Sequence, residues 1–181
     1  MDAALRAFAR DGYQGTSVRQ IAAEAGVATG LLYHYFPSKE ALLQALFERS
    51  GALVMQAFAQ AAGEPDPRQR LARLLRVSAA LVREHQDFWR ISYGVRFQHE
   101  VVAGLAPGIA ASSAAYVLLF AELLGQLGHP SPEVGARLLF ATMDGLFQHY
   151  VLDPEGYPLD DVIEGLIVQT LMATSPTPEA P

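Results

Sequence analysis

The chain has 181 residues, 51% of them hydrophobic, which is enough for one or two domains with a sizeable buried core. It contains no cysteine, which excludes disulfides and thiolate metal sites and is consistent with a reducing compartment. Its net charge of −6 is unusual for a nucleic-acid-binding protein, but residues 1–46 carry four cations and four anions, which cancel. The negative charge therefore lies beyond residue 46, which indicates two functional parts.

The first predicted element is a helix from Asp2 to Arg10 that ends at Gly12. Its apolar residues recur at helical spacing and define one face. We expect this helix to pack over the next two and to complete a three-helix head. The residues of its apolar face are Ala4, Leu5, Phe8 and Ala9.

Two short helices with a glycine turn between them are predicted from Thr16 onwards, as in a helix-turn-helix. Thr16 or Ser17 can cap the first of them, and Gln20 stands where the capping-box partner of Ser17 would. Gly26 supplies the positive φ of a tight turn. The second helix has about two turns, because Pro37 ends it.

The second of these helices has an inward face, which a helical wheel assigns to Ala28, Leu32, Tyr35 and Phe36. Its other face is predicted to bind DNA, with hydroxyl donors, a close backbone approach and an apolar contact to a thymine methyl. For His34, DNA contact and a purely structural role remain equally open. The predicted DNA-binding residues are Thr16, Ser17, Arg19, Ala28, Thr29, Gly30, Leu31, Tyr33, His34 and Lys39.

The stretch TSVRQIAAEAGVATGLLYHYFPSKE resembles the DNA-binding segment of the TetR family of bacterial transcriptional regulators. Thr29 and Leu31 depart from it, because many relatives have a lysine and a small polar residue there, so a base preference cannot be transferred. Family members commonly carry a basic arm before the first helix, which we expect to be missing here. The matching positions are Thr16, Ser17, Val18, Ile21, Ala22, Ala25, Gly26, Val27, Gly30, Leu32, Tyr33, Tyr35, Phe36, Ser38, Lys39, Glu40 and Leu42.

The rest of the chain is predicted to be helical, with breaks where glycine and proline cluster. Ser38 caps a long helix that reaches about Ala62, and Lys39 is expected to help its N-terminus bind phosphate. Five arginines of the next helix are expected to form a solvated face. Ser131 is expected to cap the penultimate helix. The predicted helices after the long one are 68–85, 87–105 with a break at Pro107-Gly108, 109–127, 132–151 and 159–173.

No strand-like alternation occurs, so we predict an all-α fold of about nine helices. The predicted domains are a helix-turn-helix domain at 1–46, a ligand-binding and dimerisation domain at 47–173, and a disordered tail at 174–181. The family resemblance covers the first 46 residues strongly and the remainder only in layout. No signal peptide is expected, and no stretch approaches the roughly 18 uninterrupted apolar residues of a membrane span, so a cytoplasmic protein without a membrane partner is predicted.

Catalysis is not expected, because the spacings that enzymes need are missing. The sequence has no Glu-x-x-His or His-Glu-x-x-His metal pattern, no Gly-x-Ser-x-Gly elbow and no phosphate-binding Gly-rich loop. We therefore predict no enzyme activity, no metal and no cofactor. Asp144 lies in an apolar helix and needs a partner if buried, either within the protein or in a cationic ligand, and the first interpretation is favoured.

Aromatic residues spaced by fours predict two ridges in the body, which suit either a plain core or a mostly apolar pocket with a few polar contacts. The family resemblance favours the pocket, for an apolar or aromatic effector that is acyl-bearing or drug-like. The predicted ligand-binding residues are Trp89, Tyr93 and Phe97 on one ridge, Tyr116 and Phe120 on the other, and Met143 with Phe147.

The last two helices are predicted to form the homodimer interface, because they carry more apolar positions than one-sided packing can cover. They also resemble, loosely, the helices that dimerise in many TetR-family members. The predicted interface residues are Leu138, Thr142, Gly145, His149, Val162, Leu166 and Thr170.

The resemblance implies a homodimeric repressor that binds a palindromic site on double-stranded DNA, with heads roughly 34–36 Å apart, and that a small-molecule effector releases. The alternative is a helical ligand-binding or interaction protein that has lost DNA binding. The neutral head and the expected absence of a basic arm favour that alternative.

Overall fold

The fold is described here from a computed structural model, which covers residues 1–61, 63–96 and 98–174 without the side chains of 99, 100 and 102. Within those ranges the chain forms nine α-helices and no strand, which confirms the prediction of an all-α fold. The helices are α1 (Asp2–Gly15), α2 (Val18–Ala25), α3 (Thr29–Tyr35), α4 (Lys39–Ala61), α5 (Pro67–Glu84), α6 (Gln86–Val95), α7 (His99–Gln126), α8 (Pro132–Leu152) and α9 (Leu159–Ala173).

The helices assemble into two compact units. Unit 1 consists of residues 1–53 and 85–109, and unit 2 consists of residues 54–84 and 110 onwards. Both α4 and α7 therefore contribute residues to each unit. The boundary predicted at residue 46 falls inside unit 1, because α6 and the start of α7 share a core with the helix-turn-helix segment.

Unit 1 is built around the apolar face of α1, against which α2, α4 and α6 pack. The helix bends at Gly12, whose φ of 74° is one that glycine favours, but α1 continues to Gly15, so the predicted end of the helix at Gly12 is a bend within it. After this bend Tyr13 turns back into the core, only 4% exposed. The core residues are Ala4, Ala7, Phe8, Tyr13, Ile21, Leu42, Leu43, Leu46, Ile91, Val95, Val101 and Leu105.

Unit 2 contains α5, α8 and α9 packed on one another. Leu74 and Leu75 of α5 and Ile163 of α9 are all at most 2% exposed. The sequence predicts that the arginines of α5 form a solvated face, and Arg76 and Arg83 are both exposed. They also make ion pairs at the surface, Arg76 with Glu164 at 2.6 Å and Arg83 with Asp160, because these carboxylates of α9 face α5.

Two predictions about helix ends are wrong. The predicted helix 87–105 is divided, because α6 ends at Val95 and α7 begins at His99. The predicted break at Pro107 does not occur, and α7 continues through it. A proline removes one backbone N–H and crowds the carbonyl four residues back, yet a helix of 28 residues keeps its bonds on either side.

Ser131 does not cap α8 through its side chain, as the sequence predicts it should. Its backbone N–H donates instead to Nδ1 of His129 at 3.1 Å, and Pro132 starts the helix, a position where its missing N–H costs little. Of the predicted tail, Thr174 is 3% exposed and donates its hydroxyl to the carbonyl of Leu171. The remaining tail positions, 175–181, lie outside the described residues.

One segment of the described chain, Ala103–Gln126, is long and apolar enough to span a bilayer by length and composition, with a mean hydropathy of 1.6. The expectation that no stretch approaches such a span is therefore wrong. The cause is composition, since this part of α7 is rich in alanine, leucine and glycine and has Glu122 as its acidic residue. A single helix of this kind is weak evidence for a membrane, because core helices of soluble proteins meet the same criteria.

Candidate nucleic-acid interface and effector region

The helix-turn-helix segment folds through local hydrogen bonds that the sequence predicts. Ser17 Oγ accepts from the backbone N–H of Gln20 at 3.2 Å, and the Gln20 side chain accepts from the backbone N–H of Ser17 at 2.8 Å. This reciprocal pair is a capping box and starts α2. Gly26 closes α2 with φ 68° and ψ 28°, the left-handed conformation predicted for it. Together these two features fix where α3 begins.

The outer face of α3 is exposed, and none of its residues is fully buried. Leu31 is 48% exposed and Tyr33 is 49% exposed, while Gly30 and His34 are also exposed and Thr29 is half-buried. Ala28, at the N-cap of α3, is exposed as well, so its placement on the inward face by the helical wheel is wrong. This surface therefore presents hydroxyl, imidazole and apolar groups next to backbone that DNA can approach closely.

The prediction that Tyr35 faces the core is wrong, because its side chain is 68% exposed. Leu32 and Phe36 pack against the core of unit 1 and suffice to anchor a helix of seven residues. Tyr35 consequently lies at the flank of α3, where its ring meets that of His34 edge-on at 5.3 Å. Tyr35 therefore extends the exposed aromatic surface beyond the predicted residues. A helical wheel drawn for only seven residues could not show that this position is exposed.

Thr16 and Lys39, two predicted DNA-binding residues, have their side chains engaged inside the head. Thr16 is 2% exposed, and its hydroxyl lies 2.7 Å from the carbonyl of Gly12. Lys39 Nζ donates to the carbonyls of Tyr13 and Thr16 at 2.9 and 3.0 Å and lies 4.3 Å from the centre of the Tyr13 ring. The end of α1 exposes carbonyls that need donors, and these two side chains supply them, a structural role that the sequence did not predict. Their contacts with DNA stay predictions.

Tyr13 also binds Glu40, since its hydroxyl donates to Oε1 at 2.7 Å. This hydrogen bond, with those from the Glu40 backbone and Ser38, lowers the pKa of the Glu40 carboxyl. Burial, together with the Glu40 carboxylate, raises the pKa of the Tyr13 hydroxyl. We call Tyr13, Thr16, Lys39 and Glu40 the head lock, because they join the end of α1 to the start of α4. Ser38 caps α4 as predicted, accepting from the backbone N–H of Ala41 at 3.1 Å.

The cations of the head differ in their availability. Arg6 and Arg10 both pair with Glu24, at 3.1 and 3.3 Å, and Arg10 also pairs with Asp11 at 2.8 Å. Arg19 is exposed on α2 and makes no ion pair or side-chain hydrogen bond with the described residues. It is the head cation that is freest to reach a phosphate.

The predicted effector residues are divided between the units. Trp89 and Tyr93 belong to unit 1, with ring centres 6.1 Å apart, and Phe97 lies outside the described residues. Phe120, Met143 and Phe147 of unit 2 are at most 6% exposed.

Tyr116 lies in an aromatic group of unit 2 that the sequence only partly reveals. Its ring centre is 5.3 Å from that of Phe58 and 6.2 Å from that of Phe140. Phe58 also lies 6.4 Å from Phe120. Burial raises the pKa of the Tyr116 hydroxyl, which indicates an apolar surrounding. Phe58 and Phe140 were missed because their helical spacing alone is that of ordinary core positions.

The predicted dimer residues do not all share one surface. Leu138 is 64% exposed, and Thr142 and His149 are exposed as well. Gly145, Val162 and Thr170 are half-buried. Leu166 is 7% exposed and packs within the protomer, so its side chain is not on the outside. The sequence reasoning missed four strongly exposed apolar residues on the same two helices, Val134, Leu152, Val168 and Met172, each at least 57% exposed.

Metal-ligating side chains do not gather within the described ranges: no three His, Asp or Glu residues there could hold one ion. Among those same residues, no buried side-chain polar atom lacks a hydrogen-bond partner.

Comparison with known proteins finds family matches in the N-terminal and C-terminal parts of the chain. Residues 1–46 match the bacterial regulatory proteins of the tetR family, and residues 80–173 match the tetracyclin repressor-like C-terminal domain. The HTH-type transcriptional regulator BetI of Burkholderia ambifaria is 32% identical over 173 residues, which covers 88% of this chain and 83% of that protein. YuxN of Bacillus subtilis, an uncharacterised HTH-type regulator, is 31% identical over 157 residues, covering 83% of this chain and 52% of that relative.

Among solved structures, the transcriptional regulator FadR of Bacillus subtilis in complex with stearoyl-CoA superposes with a TM-score of 0.78. It is 21% identical, and the match covers 95% of this chain and 96% of that one, so this likeness concerns the fold. The fold and the relatives are those of transcriptional regulators. The chain therefore belongs to the TetR family of bacterial transcriptional regulators.

Proposed function

We propose that the protein is a cytoplasmic repressor that binds a palindromic DNA site as a homodimer and is released by a small apolar or aromatic effector. The observation that carries this proposal is the exposed outer face of α3, with Leu31, Tyr33 and Tyr35 each at least 48% exposed. A short helix that keeps large side chains in solvent while its neighbours are packed is suited to enter a major groove.

The DNA contacts proposed are of two kinds. Tyr33, Tyr35 and His34 reach phosphates or base edges from α3, and Arg19 neutralises a phosphate from the start of α2. Because Arg6 and Arg10 are held by carboxylates of the head, each protomer brings few cations to the DNA. Affinity then depends on two heads bound together, at about one helical turn of DNA, roughly 34–36 Å.

The dimer contact is proposed on α8 and α9. Val134, Leu138 and Leu152 of α8 and Val168 and Met172 of α9 leave an apolar surface exposed in the single chain. Exposed apolar surfaces of this kind mark protein interfaces, and a two-fold axis would bury the same surface on both protomers. Leu166 supports these helices from the inside.

The effector is proposed to bind beside the aromatic group around Tyr116 in unit 2. Tyr116 offers a hydroxyl among apolar rings, the combination that small-molecule sites use for orientation. FadR of Bacillus subtilis, which shares the fold, was solved in complex with stearoyl-CoA, and this favours acyl-bearing molecules among the effectors to be tested.

Release is proposed to work through a shift in the dimer. An effector can favour a state with wrongly spaced heads only by its difference in affinity for the two states. The helix α4 is suited to transmit that shift, because it begins at the head lock and ends in unit 2.

The test is a selection of binding sites from random DNA duplexes by the full-length protein, followed by a thermal-shift screen against metabolites and drugs. We expect a palindromic sequence to be recovered, and screen hits to release that DNA. Recovery of no palindrome, with or without hits, favours a helical binding protein that has lost its DNA function. The neutral head and the internal pairing of Arg6 and Arg10 support that second candidate. Hits that stabilise the protein without weakening DNA binding contradict the release mechanism alone.

A further inference from the structure

A groove with an apolar floor and a cationic rim runs along α5 and α9 within unit 2. Ala72, Val77 and Ala80 of α5 and Ile167 and Leu171 of α9 supply its apolar lining. Val77 is half-buried and Ala80 is exposed, so part of this apolar surface faces solvent. The groove has a volume of about 710 Å³ and is open to solvent rather than enclosed.

Three arginines of α5 line the groove, and two of them lack an acidic partner among the residues that the structure describes. Arg76 is engaged, since its Nε and Nη2 donate to the two oxygens of Glu164 at 2.6 and 2.7 Å. Arg68 and Arg73 are exposed, and neither forms an ion pair with any part of the described chain. Glu64 is the carboxylate in the lining, and its Oε1 accepts from the backbone N–H of Asp66.

This charge stands out against the rest of the protein. The chain carries a net charge of −6, yet α5 carries five arginines and one glutamate. The side chains of Arg68 and Arg73 have no acidic partner among the described residues and lie next to exposed apolar surface. They therefore complement a ligand that is both acidic and apolar. The charge therefore selects an anionic amphipathic ligand.

The shape of the groove favours a helix over a small molecule. The lining residues of α5 follow rows spaced by four from Arg68 to Ala80, a length of about 18 Å, or roughly three helical turns. The short side chains of Ala72 and Ala80 allow another helix to approach closely. An enclosed site would bury about 70–90% of a small ligand, which an open groove does not do.

We propose that the α5/α9 groove is a docking site for an acidic amphipathic helix of a partner protein. Its apolar face covers Val77, Ala80 and Leu171, the apolar lining residues that are not fully buried, and its carboxylates bind Arg68 and Arg73. The groove lies wholly in unit 2, so the proposal does not depend on DNA binding by α3.

The probe for the test is a fluorescein-labelled peptide of about 14 residues, with leucines at helical spacing and glutamates on both flanks. Fluorescence anisotropy measures its binding to the full-length protein. Removing both free arginines in an Arg68→Ala/Arg73→Ala variant should weaken binding about three- to thirtyfold, and Ala80→Asp should abolish it. Arg90→Ala, which removes an exposed arginine of α6, should leave binding unchanged.

Circular dichroism first establishes that each variant is folded. A peptide of the same composition in scrambled order, and one with lysine in place of glutamate, should bind at least tenfold more weakly. Equal binding of the scrambled peptide, or full affinity of the double arginine variant, overturns the proposal. A third outcome also overturns it: the peptide does not bind, while sodium dodecanoate binds and its binding depends on Arg68 and Arg73. The groove would then be a site for a small anion.

Discussion

Tyr13 makes the hydrogen bond on which the head lock depends, and its loss should destabilise the head. Tyr13→Phe keeps the buried ring and removes the donor to Glu40, a bond of 2.7 Å. Because Glu40 is exposed, the cost is discounted to about 1 kcal/mol in the free energy of unfolding at pH 7. Urea unfolding measures it, with Tyr33→Phe, which removes an exposed hydroxyl, as the control. An unchanged unfolding midpoint for Tyr13→Phe would contradict this role.

The same pair gives the head a pH dependence of known sign. The pKa of Glu40 is lowered from 4.5 in the folded protein, so its stabilising effect is present above pH 4.5 and is lost as the pH falls through the folded-state pKa. The pKa of Tyr13 is raised from 10.0, so its contribution is present below pH 10 and is lost as the pH rises above it. As the pH is lowered below 4.5, the free energy of unfolding should therefore decrease less for the Tyr13→Phe variant than for the wild type.

Tyr33 is the side chain of α3 on which the proposed DNA contact can be tested most directly. It is 49% exposed, so Tyr33→Ala should leave the thermal unfolding temperature nearly unchanged. Loss of a phosphate or base contact should weaken binding to the selected DNA about tenfold. The DNA affinity of Tyr33→Phe, which keeps the ring, should lie between those of the wild type and Tyr33→Ala. Wild-type affinity in a folded Tyr33→Ala protein would show that this face of α3 does not contact DNA.

Arg19 should contribute to DNA binding through charge alone. Each phosphate that a cation neutralises contributes about 0.9 to the slope of log K against log salt concentration. Arg19→Gln should therefore reduce the slope of a dimer by roughly two, with a similar loss on every DNA sequence. Arg6→Gln is the matched control, because Arg6 is already paired with Glu24 at 3.1 Å. Equal effects of the two substitutions would contradict the distinction drawn between these arginines.

At the scale of single elements, α2 depends on its capping box. Ser17→Ala removes the acceptor for the backbone N–H of Gln20 and should cost about 1 kcal/mol, seen in the unfolding free energy of the protein. Ser131→Ala is a matched control at the start of α8, where the side chain makes no capping bond, and should cost less than about 0.5 kcal/mol. A loss for Ser131→Ala as large as that for Ser17→Ala would contradict the assignment of the caps.

The elements that sequence predicts well are those set by neighbouring residues. The capping box of Ser17 and Gln20 and the left-handed turn at Gly26 involve residues within a few positions of one another. The bond between Tyr13 and Glu40 joins residues 27 positions apart, and nothing local indicates it. Likewise the chain between α6 and α7 turns near Arg96 without a glycine or proline, while Pro107, a strong local signal, is accommodated within α7.

At the scale of the whole molecule, the proposed dimer depends on the exposed apolar residues of α8 and α9. Leu138→Asp places a charge on a residue that is 64% exposed, so the single chain should fold normally while sedimentation shows monomers and DNA binding is lost. Leu118→Asp, at a residue of α7 that is 70% exposed, should leave the dimer intact. Leu166 is unsuitable for this test, because a charge at a residue 7% exposed would disturb the protomer itself. A dimeric Leu138→Asp protein would place the interface elsewhere.

Lys39 gives the protein an unusual response to amine chemistry. It is the only lysine in the sequence, and its Nζ is bound to two backbone carbonyls and covered on one side by the Tyr13 ring. Acylating reagents require a free neutral amine, so we expect them to modify this half-buried side chain faster when the head lock is open. The rate at which Lys39 is modified, measured by mass spectrometry, thus reports how often the head opens. For the same reason, conjugation through lysine is a poor way to attach a dye to the folded protein.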